Sequence, residues 1–179
     1  INVNPLFQSS NPRVYAAGDV IGQVSLASTA MEEGRLAVRN AFALKTHQFP
    51  EFFPYGIYTI PEVSGVGPTE EELKEQGVNF QVGLAYYYEL GRGPIAGDTT
   101  GMFKLIFHAE TLEVLAVHII GSNATELVHI GQLAIDFHAR VNYFINQVFN
   151  YPTFAEGYRI AALNGLNKLD DRRKVSALG

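Results

Sequence analysis

Apolar residues alternate with polar or small ones along residues 78–88 of the chain. Because successive side chains of a β-strand point to opposite faces, this period of two predicts a half-buried strand. The residues that share the apolar face are Val78, Phe80, Val82, Leu84, Tyr86 and Tyr88.

Two later segments, Met102–His108 and Leu112–Ile120, are largely apolar on both faces. Such segments are typical of strands covered on two sides, so we expect both in the centre of an antiparallel sheet. Residues 55–67 have extended character but are interrupted by Pro61, which predicts a bent strand at the sheet edge.

Apolar and small residues recur at three- and four-residue steps in two long segments, which predicts amphipathic helices. We expect one helix from about Leu26 to Leu44, capped by Ser25 or Ser28, and another at Gly157–Leu169. The inner stripe of the first is Ala27, Ala30, Met31, Gly34, Ala37, Val38 and Ala41, and that of the second is Ala155, Tyr158, Ala162, Leu166 and Leu169.

A Thr or Asn is followed three residues later by Glu at three places where a helix is expected to begin. In such a capping box the first side chain accepts a hydrogen bond from the helix backbone, and the Glu carboxylate accepts one from the cap's own N–H. The predicted boxes pair Thr69 with Glu72, Asn123 with Glu126, and Thr153 with Glu156.

Together these elements predict the α+β class, as an α/β sandwich with an antiparallel sheet of about five strands flanked by helices. The segment His47–Pro54 contains two prolines and is predicted to be a linker between domains. We therefore expect the remnant of a first domain over residues 1–48, a second domain over residues 49–169, and a polar tail over residues 170–179.

Composition narrows the possible functions of the chain. A net charge of −5 over 179 residues gives no basis for nucleic-acid binding. The absence of cysteine excludes a disulfide framework, a thiolate metal site or a redox dithiol within this sequence. No apolar run approaches the length of a membrane span. Because the sequence begins at Ile1 without a signal-peptide pattern, we expect it to be part of a longer protein.

Metal binding and self-contained catalysis are not predicted. Glu126 and His129 lie one helical turn apart, but no second pair at ligand spacing completes a metal site. The sequence also lacks a Walker loop and a nucleophile elbow.

The stretch from Val14 to Val20, Val-Tyr-Ala-Ala-Gly-Asp-Val, resembles the second FAD-binding motif of the pyridine nucleotide-disulfide oxidoreductases. In that family a short strand, here predicted at residues 13–17, delivers an Asp to a ribityl hydroxyl of the flavin. The resemblance implies that Gly18 and Asp19 bind the cofactor. It also implies that Leu26, Ala27 and Ser28 form the helix start whose backbone N–H groups face the flavin edge, which suits an electron-rich oxygen.

A second resemblance lies at Pro152, Thr153 and Glu156, which match the His-Pro-Thr and Glu of the disulfide-reducing members of that family. In those members a His–Glu pair is the acid/base, but the position of the His is Tyr151 here. A phenol with a pKa of about 10 is a poor proton shuttle at neutral pH. The pattern is instead similar to the soluble pyridine nucleotide transhydrogenases, which pass hydride between nicotinamides through FAD.

The resemblance implies roles for the residues of this segment. In the family it crosses the molecular twofold and lies beside the flavin of the partner subunit, which makes Tyr151 and Pro152 cofactor neighbours through backbone chemistry. Glu156 is then a remnant of the catalytic pair with the structural role of a helix cap, and the chain itself is expected to hold no catalytic residue.

The intact protein implied by the resemblance is a cytoplasmic homodimeric flavoenzyme with NAD and NADP as substrates and no nucleic-acid or membrane partner. The chain alone is expected to be inactive and to retain little or no FAD. Two alternatives remain open at this point: part of a dihydrolipoamide dehydrogenase-like disulfide reductase, and a homodimerisation module without chemistry of its own.

Overall fold

A computed structural model describes residues 1–177, apart from the side chains at positions 172, 173 and 175–177. The chain divides into two compact units, Ile1–Phe53 and a second unit that begins at Pro54. The division lies inside the proline-containing linker His47–Pro54. Among the described residues, no helix combines the length and apolarity that crossing a membrane would require.

The first unit is organised around helix α1, Ala27–Ala41. Its core consists of Phe7, Leu36 and Ala37, with Val3, Tyr15, Ile21 and Phe49 packed around them. Residues 13–17, which the pattern predicts as a strand, form only one antiparallel bridge, between Tyr15 and Gln8.

The buried face of α1 differs from the predicted stripe. The helix buries Thr29, Glu33, Leu36 and Ala37, whereas Met31 is 71% exposed and Val38 is 58% exposed. The prediction was right for Ala37 and wrong for Met31 and Val38, because the packing of Leu36 and Ala37 against Phe7 decides which side of this helix faces the core.

The second unit contains a five-stranded antiparallel sheet in the order β1-β2-β5-β4-β3, which confirms the predicted α+β fold. Its strands are β1 (Tyr55–Ile57), β2 (Val63–Val66), β3 (Phe80–Tyr86), β4 (Met102–His108) and β5 (Val114–Ile120). Its helices are α2 (Glu70–Glu75), α3 (Arg92–Ala96), α4 (Ala124–Asp136), α5 (Asn142–Asn146) and α6 (Gly157–Ala177).

Helices cover both faces of this sheet. On one face Leu73 of α2 packs with Ile106 and Ala116, and the predicted apolar side of β3 lies half-buried beside this cluster. On the other face α4 and α6 cover the sheet. The fully buried side of β3 is this second one, and it carries Gln81, Gly83 and Ala85. The alternation therefore located the strand but not its more deeply buried face.

Helix α6 lies very close to edge strand β3 because both elements have glycine at the crossing. A Cβ atom at Gly83 would lie 2.0 Å from the carbonyl oxygen of Ala161, and one at Gly165 would lie 2.5 Å from the Phe107 ring. The Asn164 side chain accepts a hydrogen bond from the backbone N–H of Leu84 at 3.0 Å. The helix thus covers the backbone of the sheet edge as well as its face.

The last helix continues to Ala177, beyond the predicted end at Leu169. The predicted polar tail of residues 170–179 therefore begins inside the helix, and residues 178 and 179 lie outside the described part of the chain.

The Tyr158 side chain joins α6 to α4. Its hydroxyl donates to the carbonyl of Leu127 at 2.7 Å and accepts from the N–H of Gly131 at 3.0 Å. Tyr158 is fully buried, and burial raises the pKa of its phenol. These two hydrogen bonds fix the position of α4 relative to α6.

Only one of the three predicted capping boxes forms. Thr69 accepts from the N–H of Glu72, whose carboxylate accepts from the backbone and hydroxyl of Thr69 and so has a lowered pKa. Asn123 precedes α4 in the left-handed region (φ 63°) without a side-chain cap bond. The Thr153 hydroxyl donates to the carbonyl of Asn150, and α6 begins only at Gly157, so Thr153 does not occupy the N-cap position of this helix.

Candidate functional site

The Gly18–Asp19 turn presents a carboxylate at the surface of the first unit. Gly18 has a left-handed backbone (φ 78°), which a residue with a Cβ atom rarely adopts. One turn of 3-10 helix follows at Asp19–Ile21 and ends at Gly22, whose N–H donates to the carbonyl of Asp19 at 3.0 Å. Asp19 itself is exposed, so its carboxylate is free to accept a hydrogen bond from a ligand hydroxyl.

A buried carboxylate lies behind this turn. Glu33 is 2% exposed, and its Oε2 accepts a hydrogen bond from the N–H of Gly18 at 2.6 Å. A Cβ atom added at Gly18 would lie 3.3 Å from the Ala30 side chain. The turn is thus held by Glu33 against the second turn of α1.

The beginning of α1 is the other predicted cofactor-binding element of this unit. Leu26 is the N-cap residue, and in the described chain no side chain hydrogen-bonds to this helix end as a cap. The hydroxyl of the buried Thr29 donates to the carbonyls of Leu26 and Val24 instead, at 2.7 and 3.2 Å. The predicted caps Ser25 and Ser28 are therefore wrong, and the first N–H groups of the helix remain available to an electron-rich ligand atom.

The second group of predicted site residues lies in the other unit. Tyr151 is 72% exposed and is joined to Pro152 by a cis peptide bond. The tyrosine ring lies over Gly91, where a Cβ atom would be 2.5 Å from the hydroxyl oxygen. Glycine at position 91 is therefore what allows this ring to lie flat against the loop.

Glu156 does not have the predicted role of a helix cap. One of its oxygens, Oε2, is buried and has no hydrogen-bond partner among the described residues. A buried carboxylate oxygen without a partner is unfavourable, and among the described residues only the amide oxygen of Gln81 shares this condition.

Aromatic packing supports the segment between these residues. Phe154 stacks on Tyr87 with ring centroids 4.6 Å apart, and the Tyr87 hydroxyl donates to the carbonyl of Ser122 at 2.8 Å. Burial and, secondarily, the charge of Asp98 raise the pKa of the Tyr87 phenol. The segment 149–156 is thus anchored through Phe154, while Tyr151 remains at the surface.

An apolar groove of about 410 Å³ lies on the same unit, where α4 ends and α5 follows. Three of its side chains are strongly exposed: Phe137 (78%), Leu133 (58%) and Tyr143 (54%). The groove is lined by Ile130, Leu133, Ala134, Phe137, Ala139, Tyr143 and Phe144. The helical period of residues 123–137 predicts an inner stripe of Leu127, Ile130, Gly131, Ala134 and Phe137. The prediction was wrong for Phe137, which is exposed together with Leu133 beside it.

The side chains that could bind a metal ion do not cluster among the described residues. Among the described residues no group of three or more His, Cys, Asp or Glu side chains is placed to hold an ion. His129, one of the two residues at ligand spacing, lies with Nδ1 3.0 Å from the amide oxygen of Gln132.

Most of the chain matches a known protein family. Residues 53–162 match the model of the pyridine nucleotide-disulphide oxidoreductase dimerisation domain. The chain belongs to this family. Soluble pyridine nucleotide transhydrogenases from Mycobacterium bovis and Mycobacterium tuberculosis are each 51% identical over 169 residues, which are 94% of this chain and 36% of theirs. One from Hahella chejuensis is 50% identical over 91% of this chain and 36% of its own length. The chain therefore spans about a third of these relatives.

Solved structures share the fold of this dimerisation domain and its preceding segment. LpdA from Mycobacterium tuberculosis superposes with a TM-score of 0.80 at 22% identity, over 90% of this chain and 35% of that one. The HOCl-induced flavoprotein disulfide reductase RclA from Escherichia coli gives a TM-score of 0.83 at 21% identity, over 90% of this chain and 38% of that one. At this identity the likeness concerns the fold alone.

Proposed function

We propose that this chain is the dimer-forming part of an FAD-dependent soluble pyridine nucleotide transhydrogenase. The single observation that carries the proposal is tyrosine at position 151, directly before Pro152. In keeping with it, one carboxylate oxygen of the nearby Glu156 lacks a hydrogen-bond partner among the described residues. An imidazole that could move a proton to or from a thiol is therefore missing from this segment, whereas hydride exchange between nicotinamides needs none. The 51% identity to proteins named for that activity supports the same assignment.

The proposed flavin contacts are consistent with the geometry of the first unit. Asp19 would accept from a ribityl hydroxyl, Gly18 would allow close backbone approach, and the uncapped N–H groups at the start of α1 would face a flavin oxygen. Leu26, Ala27 and Ser28 form that helix start. When bound, FAD would supply the two-electron chemistry, and the protein would supply binding and orientation.

The proposed reaction is NADPH + NAD⁺ → NADP⁺ + NADH, or its reverse, with one hydride transferred in total. Tyr151 and Pro152 would lie beside the flavin of the partner subunit and would contribute backbone groups, without acting as acid or base. We also propose a cytoplasmic location, where both nicotinamide nucleotides are available.

An activity comparison tests this proposal on the flavoenzyme that carries the chain. We expect NADPH to reduce a spectroscopically distinct NAD⁺ analogue, while lipoamide and glutathione disulfide are consumed at least about 1,000-fold more slowly, because the proton-handling imidazole is missing. Absorbance assays with each acceptor at equal concentration measure both rates. Efficient reduction of either disulfide would favour the disulfide-reductase alternative.

Homodimerisation is proposed to use the apolar groove at the end of α4. Its exposed residues Leu133, Phe137 and Tyr143 form an apolar surface of the kind that a symmetric partner covers in stable dimers. The family match to a dimerisation domain supports the same use of this unit.

Charge substitution in the groove tests the proposed dimer. We expect Leu133→Glu or Phe137→Glu to weaken dimerisation of this chain by about 100-fold or more, because a buried unpaired carboxylate opposes apolar contact. Ile95→Glu, at a residue that is 66% exposed outside the groove, is the matched control and should leave the dimer intact. Sedimentation velocity across micromolar concentrations reports the change. A wild-type chain that remains monomeric at those concentrations would contradict the proposal.

A further inference from the structure

We propose that Glu33 is a positioning residue for the flavin site, an inference that rests on the proposed FAD-binding function. The carboxylate of Glu33 would hold the Gly18–Asp19 turn at a fixed distance from the start of α1. It would thereby set the spacing between the two elements that are expected to contact the cofactor.

The argument begins with the burial of the Glu33 side chain. A carboxylate that is 2% exposed loses most of its hydration, and this loss is unfavourable unless other interactions compensate for it. A charge-assisted hydrogen bond, here from Gly18 N–H at 2.6 Å, provides such compensation. Glu32, the preceding residue, faces the other way and pairs with Arg35 near the surface. Only the second of these two neighbouring acids is directed at the turn.

The position of the hydrogen bond determines what Glu33 controls. A Cβ atom added at Gly18 would lie 3.3 Å from the side chain of Ala30, which lies one helical turn before Glu33 on the same side of α1. The hydrogen bond to Glu33 sets the distance of the turn from α1, and the absence of a side chain at Gly18 lets the turn lie close to Ala30. Asp19 directly follows, so the orientation of its carboxylate depends on the Gly18 amide.

The same helix carries the second expected contact. Its first residues, Ala27 and Ser28, lie about one and a half turns before Glu33, and Thr29 holds the approach to the helix through the carbonyls of Val24 and Leu26. Loss of the Glu33 carboxylate should therefore leave α1 intact while releasing the Gly18–Asp19 turn from it.

The first test reads the hydrogen bond in the cofactor-free chain. We expect the amide proton of Gly18 to resonate at low field in ¹H–¹⁵N spectra, because it bonds to a carboxylate, and to move upfield in Glu33→Gln and further in Glu33→Ala. Glu32→Gln should leave this resonance in place. An unchanged Gly18 resonance in both Glu33 variants overturns the inference.

The second test measures FAD dissociation constants in the flavoenzyme that carries this chain. We expect Glu33→Ala to raise the Kd by about 10- to 100-fold, and the isosteric Glu33→Gln, which keeps an acceptor, by about threefold to tenfold. Glu32→Ala is the control and should change the Kd by less than about twofold. Fluorescence of the released flavin reports each Kd without relying on activity.

A double-substitution cycle separates positioning from a general loss of stability. Because Glu33 is proposed to act through Asp19, Glu33→Gln should raise the Kd less in the Asp19→Asn background than in the wild type. Full additivity, or an unchanged Kd in Glu33→Ala, overturns this inference alone. A wild-type enzyme that binds no FAD would overturn the proposed function, and this inference with it.

Discussion

Replacing Gly83 by Ala is expected to lower the free energy of unfolding of the second unit by about 3 kcal/mol or more. The added methyl group would lie 2.0 Å from the carbonyl oxygen of Ala161, which is backbone and cannot rotate away. Either α6 must shift away from β3 or the strand must bend, and both disturb the core around Phe107 and Gly165. Urea denaturation followed by circular dichroism measures the loss.

Gly77→Ala is the matched control for this substitution. Gly77 has a left-handed backbone (φ 68°) but nothing within 4 Å of its Cβ position, so only the conformational cost of about 1 kcal/mol is expected. Equal losses at the two positions would mean that the crossing of β3 and α6 tolerates a methyl group, contrary to the geometry described above.

Tyr158→Ala is expected to destabilise the second unit by about 3–5 kcal/mol, since it removes a fully buried ring together with its two hydrogen bonds. Tyr158→Phe separates the two contributions. It keeps the ring and should cost about 1–2 kcal/mol, because Leu127 and Gly131 lose their side-chain partner inside the core. Thermal and urea unfolding of both variants provide the measurement.

The exposed Tyr58, at 81% relative exposure, provides the control, and Tyr58→Phe should leave stability within about 0.5 kcal/mol of the wild type. A Tyr158→Phe variant as stable as the wild type would show that the α4 backbone replaces both hydrogen bonds on its own. Because α4 carries Leu133 and ends directly before Phe137, we expect the Tyr158 variants to weaken dimerisation as well as folding.

Local sequence patterns predicted the longer strands and helices well because these elements are strongly periodic. They were less successful wherever tertiary contacts decide between equivalent local choices. The Thr-x-x-Glu pattern occurs at Thr69 and at Thr153, yet only Thr69 caps a helix. At Thr153 the chain turns back, and the hydroxyl bonds to Asn150 instead. No pattern of four residues contains that information.

The buried face of an element is a second feature that sequence alone did not determine. In β3 the larger apolar side chains suggested the core side, but the most deeply buried side carries Gly83 and Ala85, because α6 approaches there closely. In α1 the same reasoning placed Met31 inside, whereas it is largely exposed. Small residues can indicate close packing of a neighbouring element, and hydrophobicity scales give them little weight.

At the candidate site, too, the sequence shows which residue is present but not whether its side chain is buried. Position 151 is informative from sequence, since tyrosine there removes the imidazole that thiol chemistry uses. Glu33 carried no such signal, because a Glu-Glu pair on an amphipathic helix is usually solvated on both members. In the folded chain its carboxylate is buried and directed at Gly18.

The hydrogen bond from Leu84 to Asn164 makes the two borders of the sheet unequal. The border formed by β3 is shielded by the last helix, whereas that formed by β1 begins at the linker from the first unit. A truncated chain lacking residues 157–177 would lose the cover of the β3 edge and would be prone to aggregate by strand addition. Expression boundaries that keep this helix should therefore yield well-behaved protein, and shorter ones should yield inclusion bodies.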